Sequence, residues 1–378
     1  MFKDLKHLSN IEIETLMQRY YNGETITNLL NEYHLSVRAN ELYKLFPLEI
    51  LKNETCKYCK EPLVRNRLSK TDNKWKYNNF NIYCPLCHHK PYEQNCKCNN
   101  CIKEKQLLIE YRKQLIKKVY AQKTNPVNFY KLSFEQKVFL GTLCRALCKE
   151  NLSEINPYIE SHVILAPTNE LCSQIYTSLS YNKIITVSPT SPIEAFVIDN
   201  DNFPNTYFTY KVTYYLNLEF PPNKQELFTE ILNPTYYSSE YKDEALYLWR
   251  KIAIGECLEY LNYQLDKVGF EFTPGDKTYK IFDILLNDFS VSQIYGIIWK
   301  AIADASKLYL ERNISKKHAA NTVIGSCERF AERAKINGWN LTEYNRIKDL
   351  PQSTLSSFFF NQVLKIGDMG FKLPPTIV

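Results

Sequence analysis

Seven of the twelve cysteines crowd into 46 residues, in the order Cys56-x2-Cys59, Cys84-x2-Cys87 and Cys96-x-Cys98-x2-Cys101, with His88 and His89 directly after the second pair. A Cys-x2-Cys turn lets two thiolates reach one tetrahedral ion, and the 24 residues between the first two pairs suffice for a β-hairpin that brings them together. The spacing therefore predicts one or two zinc ions. Cys56, Cys59, Cys84 and Cys87 complete an all-thiolate site, and Cys96, Cys98, Cys101 and one histidine, taken as His89, form a second candidate site of mixed ligands.

An interleaved pairing, as in cross-brace modules of the RING kind, fits the same spacing. Disulfides are the rival use of clustered cysteines. The opening MFKDLKHLSN has no apolar signal region, and no apolar run approaches membrane-spanning length. The expected compartment is therefore a reducing cytoplasm, where such clusters bind metal, and no membrane partner is expected. The remaining cysteines, at 144, 148, 172, 257 and 327, sit among apolar residues and are expected to be small buried hydrophobes.

The formal net charge of +6 is unevenly spread. Residues 1–126 hold 22 Lys+Arg against 13 Asp+Glu, whereas residues 201–299 hold 8 against 14. A basic excess around a metal-stapled module suits a polyanion, because each neutralised phosphate releases counterions.

Along the chain, residues 9–46 read as three short helices. Asn10 is the expected cap of the first, with Ile11, Ile13, Leu16 and Tyr20 inward and Gly23 at its end; the second is ETITNLLNEY; the third is VRANELYKLF, capped by Ser36 and stopped by Pro47. Two short helices joined by the turn HLS resemble a helix-turn-helix over residues 1–50. That resemblance implies that VRANELYKLF presents Arg38 and Lys44 to nucleic acid. The family's small residue in helix two and its turn glycine are Leu29 or Leu30 and His34 here, and a small bundle bracing the zinc module is the other reading.

Between the cysteine pairs, KEPLVRNRLSKTDNKWKYNNFNIY interleaves basic and aromatic residues and offers Asn78-Asn79 as a hairpin turn. With the two knuckles it resembles a zinc ribbon, within a module placed at residues 51–102. The resemblance implies nucleic-acid binding, docking of proteins within nucleic-acid machines, or stabilisation of the fold alone. Arg65, Arg67, Lys70, Lys74, Trp75 and Lys76 are the candidate contacts, the indole as a stacking platform.

A charged linker helix is expected at 103–125. Residues 126–200 then read as three helices, near LSFEQKVFLGTLCRALC, NLSEINPYIES and APTNELCSQIYTSLSYN, followed by two strands in KIITVSPTSPIEAFVI. That order resembles a winged helix. Residues 201–378, after a tyrosine-rich extended stretch, read as a helical C-terminal domain able to fold alone. The expected fold class is thus α+β, mostly α.

Walker A, dinucleotide-glycine, nucleophile-elbow and zincin signatures are missing. Asp199 with Asp201, and His318 with Asn321, Arg329, Arg333 and Arg346, are the weaker catalytic or phosphate-gripping candidates. The sequence reading is a zinc-dependent nucleic-acid-binding protein, a transcription regulator or the recognition subunit of a defence or mobile-element system, with DNA or RNA as partner. Its alternatives are a protein-interaction scaffold, with a protein partner or a homodimer, and an enzyme such as a nuclease.

Overall fold

The computed structural model describes residues 2–71, 81–121, 125–149, 153–199, 201–235, 237–312 and 314–376. It is mostly helical with two small antiparallel sheets, and the chain divides into two compact units, Met1–Arg112 and Lys113–Val378.

Unit 1 opens with α1 (Asn10–Tyr21) and α2 (Ile26–Glu32). The cap of α1 is Ser9 rather than Asn10. Its hydroxyl accepts the Glu12 N–H while the Glu12 carboxylate accepts the Ser9 N–H, a reciprocal pair one residue earlier than expected. Leu16 and Tyr20 are buried, Ile13 is half-buried and Ile11 is exposed, so the inward stripe is narrower than its periodicity predicts. Gly23, at φ +93°, ends α1 in the left-handed region that glycine tolerates. His34, at φ 53°, holds the equivalent bend after α2.

The third segment is not an α-helix. Ala39–Leu45 is 3-10 wound, and neither Ser36 nor Arg38 caps it through a side chain. The tighter winding returns Leu42 and Phe46 to the core of Leu5, Leu16, Tyr20, Leu29 and Leu35. The recognition helix expected there is therefore absent as an α-helix.

After this bundle, β1 (Glu49–Thr55), β2 (Pro62–Arg65) and β3 (Ile82–Tyr83) form an antiparallel sheet in that order. The register pairs Glu49 with Arg65 and Leu51 with Leu63, then breaks before Thr55–Pro62, leaving Lys52–Glu54 as extra length on β1. Val64 and Arg65 pair with Tyr83 and Ile82, which returns the second cysteine pair to the first. The Asn78-Asn79 turn lies outside the described residues. Helix α3 (Asn99–Tyr120) then runs from unit 1 into unit 2.

Unit 2 is built on α4 (Phe134–Leu147), whose expected cap Ser133 pairs reciprocally with Gln136. Gly141 is required there: a Cβ would stand 2.3 Å from the Phe358 ring and 2.9 Å from the Ile231 carbonyl oxygen. The segment after α4 forms β4 (Glu154–Ile155) and a 3-10 turn at Tyr158–Glu160 in place of a helix. Helix α5 (Asn169–Tyr181) leads into β5 (Ile185–Val187).

The second wing strand expected at IEAFVI is a 3-10 turn at Ile193–Ala195 followed by a single bridge from Phe196 to Tyr207. The partner of β5 is β6 (Tyr214–Leu216), from the tyrosine-rich stretch, and β6 lies between β4 and β5. Two prolines, Pro189 and Pro192, fall where a local hairpin would need backbone donors, so the pairing goes to a distant strand.

Helices α6 (Lys224–Leu232), α7 (Lys242–Lys267), α8 (Asp276–Leu285), α9 (Val291–Glu311) and α10 (Lys316–Ile336) complete the unit with α11 (Thr354–Phe358) and α12 (Met369–Lys372). The helix expected to run unbroken from Thr354 loosens into π winding at Phe359–Val363. Phe358, Phe359 and Phe360 are all buried, and three consecutive rings cannot share one side of a regular helix. One apolar cluster extends from Ile116 to Phe371, so the boundary expected at residue 200 runs through a shared core.

That core encloses a charge. Glu256 is 2% exposed; one carboxylate oxygen meets the Arg346 guanidinium at 2.8 Å and the Ser356 hydroxyl at 2.7 Å, and the other has no hydrogen-bond partner. Arg346 also stacks on Phe371. Arg346→Ala is expected to cost about 3–5 kcal/mol by stranding the carboxylate, with part recovered on adding Glu256→Gln. Urea unfolding of the single and double variants measures both.

Neighbouring Glu259 is pushed up to about 7 by burial and by the Glu256 charge. A carboxyl raised in the folded state contributes stability below its unfolded value that is lost as pH rises through about 7. Glu259→Gln is therefore expected to stabilise the protein at pH 8 relative to wild type, and not at pH 4, in paired thermal melts.

Candidate metal centre

The two cysteine pairs fold into turns of the same design. In each, the N–H of the first cysteine donates to the carbonyl five residues on, Cys56 to Glu61 and Cys84 to His89, both at 2.8 Å. The residue four places on donates back to the first cysteine's carbonyl, Lys60 at 3.0 Å and His88 at 2.9 Å. Lys60 and His88 accordingly both take left-handed backbone, at φ 63° and 56°. The first turn joins β1 to β2 and the second follows β3, so the β2–β3 pairing brings them face to face.

Two quartets result, and their pairing is sequential rather than interleaved. Cys56, Cys59, Cys84 and Cys87 form one; His89, Cys96, Cys98 and Cys101 form the other; the ligand atoms of each lie within 4.8 Å of one another. Four sulfurs about 2.3 Å from a central zinc stand roughly 3.8 Å apart. Cys56 and Cys87 sulfurs are 3.6 Å apart. In the mixed quartet His89 Nδ1 lies 3.3 Å from Cys101 Sγ and 3.8 Å from Cys98 Sγ, bracketing the roughly 3.6 Å that a tetrahedral sulfur–nitrogen edge requires. Both donor sets therefore fit a small tetrahedral cation. None of the twelve cysteines is in a disulfide.

Helix α3 supplies the last ligands. Cys98 stands immediately before it, with its carbonyl accepting the Ile102 N–H and its sulfur accepting the Cys101 N–H at 3.5 Å. Sulfur thus occupies the place of an N-capping oxygen, where the helix N-terminus favours negative charge. Lys90 N–H donates to Cys96 Sγ at 3.3 Å.

These donors set the titration. Burial opposes ionisation of Cys56, but the N–H groups of Cys59 and Tyr58 outweigh it and hold the thiol near 7. Cys87 is pushed up to about 12 by burial and crowding from its fellow sulfurs. Cys96 is lowered, with the Lys90 and Cys98 N–H groups again overcoming burial. His89 is lowered by burial and by the Lys57 ammonium, which keeps the imidazole in its ligating neutral form.

Of the nucleic-acid candidates, Arg65 meets Glu49 at 2.8 Å across the β1–β2 rung. Arg67 donates to the Pro47 carbonyl at 3.2 Å and lies 3.9 Å from Glu49. Lys70 donates from Nζ to the Glu24 carbonyl at 3.2 Å and from its backbone to the Tyr20 hydroxyl. Lys44 lies 3.8 Å from Glu41, and Arg38 is exposed. Lys74, Trp75 and Lys76 lie outside the described residues.

A separate set of cations, not singled out in the sequence, lies along α3. Lys103, Lys113, Lys117 and Lys118 are exposed and have no acidic partner among the described residues. Their signal in the sequence is an uninterrupted run of charged helix, which by itself reads as a linker.

The weaker candidates separate. Asp199 accepts the Asp201 N–H and the Asn202 side-chain amide, forming a turn. Arg346 is engaged with Glu256, away from any role beside His318. No helix among the described residues is long and apolar enough to cross a membrane.

Protons compete with metal for thiolate and imidazole, so retention is expected at neutral pH and loss as pH falls through the range where these ligands reprotonate. Metal content after gel filtration at pH 7.5, 6, 5 and 4 measures this, and a content independent of pH would contradict the assignment of cysteine ligands. Comparison with known proteins finds no matching family model, curated protein or solved structure.

Proposed function

We propose that the chain is a zinc protein that binds nucleic acid, with both ions in structural roles. Soft thiolate donors in tetrahedral quartets favour zinc over magnesium or calcium. Four protein ligands at each site leave no position for a reacting water, which argues for scaffolding over catalysis. Zinc would then join the two knuckles, β2, β3 and the start of α3 into one rigid platform.

The observation that carries the nucleic-acid reading is the set of exposed lysines on α3 with no acidic partner among the described residues, Lys103 in unit 1 and Lys113, Lys117 and Lys118 at the start of unit 2. Arg65, Arg67 and Lys70 are engaged within unit 1, Arg65 across the β1–β2 rung, Arg67 on the Pro47 carbonyl and Lys70 on the Glu24 carbonyl of the helical bundle. The lysines of α3 remain free to meet phosphates, within a region carrying 22 basic against 13 acidic residues. Docking of a protein is the second reading, favoured by exposed Ile102, Leu107, Leu108, Ile109 and Tyr111 on the same helix.

Protein purified reduced and without chelator is expected to carry two zinc ions per chain by elemental analysis. Changing Lys103, Lys113, Lys117 and Lys118 together to glutamine should weaken binding to all duplex sequences. It should also flatten the dependence of log K on log salt by about 0.9 for each phosphate no longer neutralised. Undiminished affinity in a folded, zinc-loaded variant would transfer the assignment to protein docking.

A further inference from the structure

The two quartets of unit 1 are joined through two residues, Tyr58 and His89. Tyr58 sits inside the first knuckle, between Cys56 and Cys59. Its hydroxyl lies 3.3 Å from Cys101 Sγ in the other quartet, and its ring stands edge-on to His89 with centroids 4.9 Å apart. A second link runs in the same direction. The His89 carbonyl closes the second knuckle by accepting the Cys84 N–H, while its imidazole belongs to the mixed quartet. Each link therefore anchors its backbone in the all-thiolate site and places its side chain in the mixed one. Among the described residues, no hydrogen bond runs from residues 96–101 to a sulfur of the all-thiolate quartet.

From this asymmetry we infer that metal loading is sequential, with Tyr58 as the positioning residue: closure of the all-thiolate site orients Cys101 and His89 for the second ion. The inference rests on the zinc reading above. The phenol has one proton and two acceptors, the Glu104 carboxylate and the Cys101 sulfur once it is a thiolate. Lys57, 2.8 Å from the same carboxylate and 4.6 Å from the Tyr58 ring centroid, draws off carboxylate charge and weakens its claim on that proton. A hydroxyl donor on a ligating thiolate fixes the direction of its lone pairs and shares its charge, as outer-shell partners of metal ligands do. Tyr58 can stand there only when the Cys56–Cys59 turn is wrapped.

The test is a cobalt(II) titration of the reduced, metal-stripped full chain, because four-thiolate and three-thiolate-one-imidazole cobalt differ in their visible and charge-transfer bands. Wild type is expected to show the four-thiolate spectrum first and the mixed spectrum second. Tyr58→Phe keeps the ring against His89 and loses the hydroxyl. It should leave the first affinity unchanged and weaken the second by about 10-fold or more. Cys98→Ser should lose only the second ion, and Cys84→Ser both. The inference is overturned if Tyr58→Phe binds the second ion as tightly as wild type, or if Cys84→Ser keeps a tightly held mixed-ligand ion. Wild-type chain that takes up no cobalt would instead overturn the metal reading itself.

Discussion

The close approach of ligand atoms in unit 1 is the constraint on which that unit depends. Sulfurs 3.6 Å apart are in van der Waals contact, and four ionised thiolates at that separation repel unless a cation sits among them. The apolar alternative is thin. The core around the first quartet has four buried members, Cys56, Leu63, Ile82 and Cys84, two of which are themselves ligands. So small a cluster cannot by itself offset the entropy of ordering the surrounding loops, and the two quartets stand where a bound metal would take the place of a hydrophobic core. The left-handed backbone at Lys60 and His88 serves the same end, since it lets each N–H close its turn on the carbonyl of the first cysteine.

Unit 2 rests on a different principle. Its helices bury aliphatic and aromatic side chains in one continuous cluster, with most of α4 buried. Close packing of that kind leaves marks in particular residues. Gly141 admits the Phe358 ring, and Gly296 admits Tyr344, whose ring a Cβ would approach to 2.9 Å. The Glu256–Arg346 pair ties the segment between α10 and α11 to α7. Tyr344 repeats the tie to α9, donating its N–H to the Ser292 carbonyl at 3.1 Å while its own carbonyl accepts the Ser292 hydroxyl.

Positive charge in unit 1 is divided between fastening and display. Arg65 joins β2 to β1, Arg67 holds the Pro47 carbonyl, and Lys70 draws the chain beyond β2 against the helical bundle, where Tyr21 adds a hydrogen bond to the Leu68 carbonyl at 2.7 Å. Arg19 likewise spans from α1 to Glu24 and to Glu32 of α2. These side chains carry formal charge that composition counts in full, although the local acids and carbonyls already answer it. Lys103 on α3 keeps its charge exposed with no acidic partner among the described residues, as do Lys113, Lys117 and Lys118 at the start of unit 2.

The metal ligands were legible from residue order alone, because Cys-x2-Cys spacing is a local property that any tetrahedral site must satisfy. So were the long helices α7, α9 and α10, where apolar periodicity persists over many turns. Caps were legible only in part, the first falling on Ser9 one place before Asn10 and the third segment going uncapped where Ser36 was expected. Which cysteines share a quartet was not legible, because sequential and interleaved pairings have the same spacing and differ in which strands meet. Folding in three dimensions also chose Nδ1 of His89, gave β5 a partner from 27 residues further on, and committed the hairpin arginines to Glu49 and Pro47. Those outcomes depend on encounters between residues far apart in the chain, for which a linear pattern of residue types carries no record.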